Sequence, residues 1–128
     1  MVIQMSEKTI ADKMYLKNAK SLAILNGAVH PRVVEQLPQA LVVEGDEPAD
    51  VVLLFALNRE QLEKLLPEAL ARLGEKGSLW VAYLKQTASK ATDINRDTIN
   101  AYCMENGVTG VAMISIDSDW SGLRLKRI

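Results

Sequence analysis

The 128-residue sequence predicts a single α/β domain, in which helices cover both faces of a mostly parallel sheet. Apolar runs of strand length alternate with segments of helical periodicity, and the run VVLLFA at 51–56 is apolar throughout, which is typical of a strand covered on both faces. The last two runs, 110–117 and 122–127, are joined by a link too short for a crossover helix, so they are expected to pair antiparallel. The expected fold class is a three-layer α/β/α domain over residues 1–128, with a sheet of about six strands that ends in an antiparallel hairpin.

The first third of the chain predicts two helices and two strands. A short helix is expected at 6–15, where Ser6 can cap the first turn. SLAIL at 21–25 follows as a strand, and the next helix runs from Pro31 to Leu37, because proline is well tolerated at a first helical position. ALVVE at 40–44 predicts a second, shorter strand.

The helix after the central strand has the clearest periodicity in the sequence. Asn58 can cap it, and Gln61 is spaced as in a capping box. Its apolar residues fall on one face: Leu62, Leu65, Leu66, Ala69, Leu70 and Leu73. Pro67 predicts a kink or a restart, and Gly74 predicts the end of the helix.

The final third predicts a strand, a helix and the terminal hairpin. SLWVAYL at 78–84 is the strand, and the helix spans about 94–106, capped by Asp93 or Thr92 and ended by Gly107. In GLRLKR at 122–127, leucines alternate with basic residues, and this period of two predicts an edge strand with one solvated face.

Composition excludes several classes of function. The net charge is −1, which predicts no binding of nucleic acid or of an anionic membrane. No run approaches the roughly 20 apolar residues of a membrane span, and the first residues do not resemble a signal peptide. Cys103 is the only cysteine, so we expect a reducing, cytoplasmic location and interpret this thiol as a buried apolar residue.

The order of elements resembles the class I S-adenosylmethionine-dependent methyltransferase fold, which is Rossmann-like. A closer resemblance is to a bacterial family known only as a domain of unknown function. It is carried by three separated segments in the same order: LFALNREQLEKLLPEALARLGEKGSLWVAYLK, TDINRDTI and DSDWSGLRLKR. The resemblance implies a small methyltransferase-like domain and implies no activity.

The turn after the first strand lacks the glycines that cofactor-binding turns use. Methyltransferases and dinucleotide-binding proteins have several glycines there, because each one removes a Cβ atom that would meet the ligand. ILNGAVHP at 24–31 has Gly27 alone. Asn26, Gly27 and Glu44 mark a degenerate cofactor site, although for Glu44 and its neighbour Asp46 the interpretation as solvated loop carboxylates is favoured. We therefore expect no cofactor, and no adenosyl group in the usual pose.

The loop LKQTASKATDINR offers a second candidate site, for a small anion. It follows a strand and enters a helix, which places it at the sheet edge where open α/β sheets bind ligands. Lys85, Ser89, Lys90 and Arg96 supply charge and hydrogen-bond donors. The competing interpretation is a solvated loop whose Asp93 occupies the helix N–H groups itself.

The remaining reactive or aromatic residues have structural interpretations. His30 has no sequence-adjacent acid or nucleophile, so we expect a surface or cap-like turn residue rather than a catalytic one. One histidine and one cysteine make a metal site improbable. Trp80 is expected in the core, and Trp120 is expected to pack over the end of the hairpin rather than to form an exposed partner surface.

These observations predict a non-catalytic module that binds a protein partner or a small anion. The alternative is a divergent S-adenosylmethionine-dependent methyltransferase with a reduced pocket. A homo-oligomer formed through the C-terminal edge strand is a third expectation.

Overall fold

A computed structural model describes residues 9–45, 47–85 and 93–128. The helices are α1 (Ile10–Lys13), α2 (Pro31–Glu35), α3 (Arg59–Arg72) and α4 (Arg96–Glu105). The strands are β1 (Leu22–Leu25), β2 (Ala49–Phe55), β3 (Leu73–Leu84), β4 (Val108–Ser115) and β5 (Trp120–Arg127). Short 3-10 turns cover Leu16–Asn18, Gly27–Val29 and Gln39–Leu41.

The five strands of this part of the chain form one sheet in the order β1-β2-β3-β5-β4. β1, β2 and β3 are parallel, whereas β5 is antiparallel to both of its neighbours. The predicted α/β class is confirmed: a sheet that is parallel at one end finishes in an antiparallel hairpin. The carboxyl ends of β1, β2 and β3 and the connection between β4 and β5 therefore lie at one edge of the sheet.

The prediction of a second strand at 40–44 is wrong. The sheet of the described residues has five strands rather than about six. Gln39–Leu41 forms a 3-10 turn, and only Val42 makes a bridge to Leu22. The segment does not continue as a strand because the carbonyl of Val43 accepts a hydrogen bond from the Arg72 side chain at 3.1 Å. Arg72 also donates to the carbonyl of Glu47 and is 9% exposed, so a buried guanidinium takes the place of strand pairing.

The alternation in the C-terminal strand predicted an edge strand, and this prediction is wrong. β5 lies between β3 and β4, and β4 forms that edge. Arg124 was expected on a solvated face, but its guanidinium lies over the ring of Tyr15 and hydrogen-bonds to Ser78. The period of two correctly predicts a strand. The face that carries Arg124 is not solvated, because the segment that contains Tyr15 covers it.

α3 begins as predicted and ends differently. Asn58 accepts a hydrogen bond from the N–H of Gln61, and the helix continues through Pro67 without a restart. Leu62 and Leu66 are fully buried, and each contributes about 2 kcal/mol of hydrophobic stabilisation. Gly74 does not end the helix, because β3 already begins at Leu73. A Cβ atom at Gly74 would lie 3.1 Å from the carbonyl oxygen of Ala49, so the close approach of β3 to β2 explains this glycine.

α4 has a different cap from the one expected. Asn95 and Thr98 form a reciprocal capping box, and Gly107, at φ +91°, ends the helix as predicted. Asp93 instead accepts a hydrogen bond from the N–H of Arg59 at 2.8 Å, so it caps α3. Thr92 lies outside the described residues.

The N-terminal helix follows its cap, Thr9, and ends at Lys13 rather than at 15. Ser6 lies outside the described residues. With α2, this helix covers the sheet face that contains Trp80, whereas α3 and α4 cover the opposite face. The burial of Trp80 is confirmed at 1% exposed. Within 9–45, 47–85 and 93–128, no helix is long and apolar enough to cross a bilayer.

Candidate functional site at the carboxyl edge of the sheet

Asn26 joins the ends of two parallel strands. Its backbone is left-handed, with φ 61°, and directs the side chain towards β2. The amide nitrogen donates to the carbonyl of Phe55 at 2.9 Å and to Oε1 of Gln61 at 3.0 Å. Gln61 also accepts from the N–H of Leu57 at 2.9 Å, so this network connects the first turn, the end of β2 and the start of α3.

Gly27 faces protein rather than open space. A Cβ atom at this position would lie 2.9 Å from Ile24 Cγ2 and 3.0 Å from Val34 Cγ2. The glycine therefore allows α2 to pack closely on β1. A glycine that admits a ligand would instead leave room on its solvent side.

Glu44 lies apart from Asn26 and Gly27. It is exposed and belongs to the loop that Arg72 holds through the carbonyls of Val43 and Glu47. Arg72 ends α3, whose first turn lies at the carboxyl edge, so the loop lies at the opposite, amino edge. Asp46 lies outside the described residues. The structure thus brings together Asn26 and Gly27 but does not bring Glu44 to them.

Lys85 and Arg96 line one pocket of about 330 Å³. The other lining residues are Tyr83, Asn95, Asp97, Met113 and Ser121. The Lys85 ammonium donates to Ser115 Oγ at 2.8 Å, and Arg96 Nε lies 3.4 Å from Asp97 Oδ1. The other two residues of the predicted anion site, Ser89 and Lys90, lie outside the described residues.

Tyr83 keeps its proton in this pocket. Burial raises its pKa above the ordinary value of 10.0, and the nearby Arg96 guanidinium only partly opposes that effect. Its hydroxyl lies 3.2 Å from Met113 Sδ. Near neutral pH the pocket therefore presents a neutral hydroxyl and two cationic groups, with Asp97 as the one carboxylate among its described lining residues.

His30 has an acid partner that the sequence did not reveal. Its Nε2 lies 2.7 Å from Oδ2 of Asp117, which is 87 residues away along the chain. His30 precedes α2 at the cap position, as one of the two expectations had it, but its side chain is only 16% exposed and is held by an acid that the sequence pattern did not show. Only the fold brings the β1–α2 turn and the β4–β5 connection together.

Asp117 is held on both carboxylate oxygens. Oδ1 accepts the N–H groups of Asp119 and Trp120, both at 2.8 Å, while Oδ2 faces His30. Burial by itself would raise the pKa of Asp117, but the hydrogen bonds from His30 and the two backbone N–H groups lower it below its ordinary value. The carboxylate is therefore charged at neutral pH and fixed in orientation.

An aromatic cluster lies beneath this pair. Trp120 is 7% exposed, and its ring centroid lies 5.3 Å from that of His30 and 5.8 Å from that of Phe55. The expectation that Trp120 packs rather than forming an exposed surface is confirmed. Within the described ranges, no group of three or more His, Cys, Asp or Glu side chains is placed to hold a metal ion.

Cys103 is buried in the α4 side of the core. Burial raises the pKa of its thiol to about 12. The thiol therefore carries no thiolate near neutral pH, in agreement with its interpretation as a core residue.

Solved structures of methyltransferases share this fold. A ribosomal protein L11 methylase from Lactobacillus delbrueckii subsp. bulgaricus superposes with a TM-score of 0.58 at 14% identity, over 91% of this chain and 73% of that one. An O-methyltransferase family protein from Burkholderia thailandensis gives 0.61 at 12% identity, over 92% and 56%. The N-methyltransferase NodS from Bradyrhizobium japonicum WM9, solved with S-adenosyl-L-homocysteine, gives 0.53 at 11%, over 94% and 89%. At such identities the likeness shows the fold alone.

This chain spans only about half the length of the Burkholderia thailandensis protein. No curated protein matches it in sequence. The expected membership of a family of unknown function is confirmed by a match over residues 25–128, and the chain belongs to the family described as "Protein of unknown function (DUF3052)".

Proposed function

We propose that this protein is a non-catalytic binding module that takes a small anion in the pocket between β3, β5 and the start of α4. The proposal has two parts: the adenosyl position after β1 is closed, and the Lys85–Arg96 pocket is the ligand site. The observation that carries the first part is the bridge that Asn26 makes from β1 to β2, and the second part rests on the two cationic side chains that line the pocket beside α4.

The bridge occupies the place where a cofactor would need free backbone. Asn26 uses both amide protons on Phe55 and Gln61, and a ligand in that position would have to break these hydrogen bonds. Each of the two contributes about 1 kcal/mol. Gly27 offers no compensation, because it is packed against Ile24 and Val34.

The pocket at α4 supports the choice of an anion. Lys85 and Arg96 place two positive charges there, and among the described residues the Asn95 side chain accepts from the N–H of Thr98 alone. The N–H groups of Arg96 and Asp97 have no partner within the helix, since they belong to its first turn. Phosphate and carboxylate groups match this combination of cations and N–H donors.

Calorimetric titration with inorganic phosphate tests the anion site. We expect saturable binding that weakens about tenfold in Lys85→Gln or Arg96→Gln, since each substitution removes one charge-assisted contact. Lys126→Gln is the matched control, because Lys126 is exposed and lies outside the pocket. Equal phosphate affinity in all four proteins would refute the proposal.

A divergent methyltransferase with a reduced pocket is the second candidate, favoured by the shared fold of the solved enzymes. Its test is thermal unfolding with S-adenosylmethionine and S-adenosylhomocysteine. A ligand that binds only the folded state stabilises it by RT ln(1 + [L]/Kd), so the midpoint rises with the logarithm of the ligand concentration above its Kd. A rise of this form, larger in Asn26→Gly than in Asn26→Ala or wild type, would favour the enzyme; no rise at millimolar ligand would favour the binding module.

A protein partner would use a different surface. β4 is the exposed edge, and Val111 and Met113 on it are 51% and 48% exposed. Self-association through β5 would require free main-chain groups that β5 has already paired with β3 and β4. We therefore propose that a partner, or a second copy of the chain in the cytoplasm, extends the sheet by pairing with β4. Light scattering tests the pairing of two copies by comparing the molar mass of Met113→Lys with that of wild type.

A further inference from the structure

A groove of about 530 Å³ lies on the other side of the sheet edge, next to His30 and Asp117. Its helical wall comes from α1 and α2, and its second wall comes from the β4–β5 connection. The volume falls within the range of small-molecule sites, roughly 300–1,000 Å³. This groove shares no lining residue with the Lys85–Arg96 pocket.

The two walls carry opposite charges. Lys13 and Arg32 lie on the helical wall, whereas Asp117 and Asp119 lie on the wall formed by the hairpin. Lys13 donates to the carbonyl of Ser115 at 2.9 Å, and Asp117 faces His30. Arg32 and Asp119 have no side-chain hydrogen bond or ion pair within the described ranges, whereas the contact between His30 and Asp117 joins the two walls.

The floor between the charged walls is apolar. Four buried side chains line it, each at most 7% exposed: Ile10, Val33, Ile116 and Trp120. The hydrogen bonds of Asp117 to His30 and to the backbone of Asp119 and Trp120 hold the second wall in place. Asp119 therefore projects from a short turn whose conformation is fixed.

We propose that this groove binds a small zwitterion, in the class of a free α-amino acid with an apolar side chain. The carboxylate of the ligand would pair with Arg32 and Lys13, the ammonium would pair with Asp119, and the side chain would rest on the apolar floor. A simple anion would leave the Asp119 carboxylate without a partner, and a simple cation would leave the Arg32 guanidinium without one. A molecule with both charges neutralises both walls.

Amide chemical-shift titration with L-leucine tests the proposal. We expect saturable shifts at Arg32, Asp119 and Trp120, with a Kd of about 1 mM or below. L-Leucinamide lacks the carboxylate and N-acetyl-L-leucine lacks the ammonium. The affinity for each should therefore be at least about tenfold lower than for L-leucine. Arg32→Gln and Asp119→Asn should weaken L-leucine to a similar degree, and both residues are exposed, so folding is retained.

Lys126→Gln is the control and should leave the titration unchanged. If neither L-leucine nor L-methionine gave saturable shifts at about 20 mM, far above that Kd, the groove would not be a zwitterion site. Equal binding of N-acetyl-L-leucine and L-leucine would also overturn the proposal, because it would show that Asp119 takes no part. Neither result depends on the phosphate titration, since the two sites have different residues.

Discussion

Asn26 adopts a backbone conformation that costs most residues about 1–2 kcal/mol, and its side chain offsets that cost by two hydrogen bonds. Asn26→Gly keeps the backbone conformation and removes the bonds, so we expect a loss of about 1–2 kcal/mol in the free energy of unfolding. Asn26→Ala should lose about 1–2 kcal/mol more, because alanine also resists the left-handed conformation. Urea unfolding of the three proteins checks this order. Equal stability of the glycine and alanine variants would show that the backbone is not strained.

Asp117 should make stability depend on pH in the acid range. Its pKa in the folded protein is lowered from 3.8, so its contribution is complete above that value and is lost as the pH falls through the lowered pKa. We expect Asp117→Asn to cost about 1 kcal/mol at pH 7, a modest figure because the side chain is 35% exposed. The wild type and the variant should converge as the solution is acidified below pH 3.8.

Thermal melts at several pH values measure this convergence. Asp119→Asn is the control, because its carboxylate has no partner among the described residues. A gap between wild type and Asp117→Asn that stayed constant into acid would contradict the role of the charged carboxylate.

The sequence could not connect His30 to Asp117, although both residues were visible in it. Side chains 87 positions apart meet only when the turn after β1 and the hairpin reach the same sheet edge. Gly27 was visible too, but whether a glycine admits a ligand or a neighbouring helix depends on what lies next to it. Such assignments need the three-dimensional neighbours.

At the scale of elements, α3 continues through a proline that ordinarily ends or kinks a helix. Pro67 is exposed and cannot donate a hydrogen bond to the preceding turn. Pro67→Ala restores that donor without removing any core contact, so we expect a gain of about 1–3 kcal/mol. Thermal unfolding measures it, with Glu68→Ala as the exposed control, expected within about 0.5 kcal/mol of wild type. A loss of stability in Pro67→Ala would show that the proline fits a bend that α3 requires.

The helices and strands with long apolar patterns were predictable, whereas short segments were not. α3 contains five of the six apolar residues of the predicted face, since Leu73 begins β3, and the apolar run at 51–56 matches β2 closely. The segment 40–44 has the residues of a strand but lacks a continuing partner, because Arg72 binds the carbonyl of Val43. Propensity indicates what a segment can form, and pairing decides what it does form.

At the scale of the whole molecule, the buried Cys103 reports on global unfolding. With its pKa raised to about 12 and no exposed surface, the thiol should not react with an aromatic disulfide reagent in the native protein. We expect labelling to rise with urea in parallel with the loss of helical circular dichroism, because exposure of α4 requires the core to open. Rapid stoichiometric labelling in buffer would show that α4 detaches locally.

The carboxyl edge holds two pockets with different chemistry on its two sides. One is cationic beside α4, and the other has opposed charges beside α1 and α2. The hairpin contributes to both, through Ser121 on one side and Asp117 on the other. An antiparallel hairpin at the end of a parallel sheet therefore supplies side chains to two separate sites.

The sequence by itself determined the α/β class, the parallel strands and the terminal hairpin, because these depend on apolar periodicity and on short links between neighbouring segments. The family came from the resemblance of three separated segments of the sequence. The tertiary structure alone decided the number of strands, the position of β5 inside the sheet, and the partners of Asn26, Asp93 and His30. The physical reason is distance along the chain. Periodicity acts over a few residues, whereas a hydrogen bond between residues tens of positions apart exists only after the sheet has assembled.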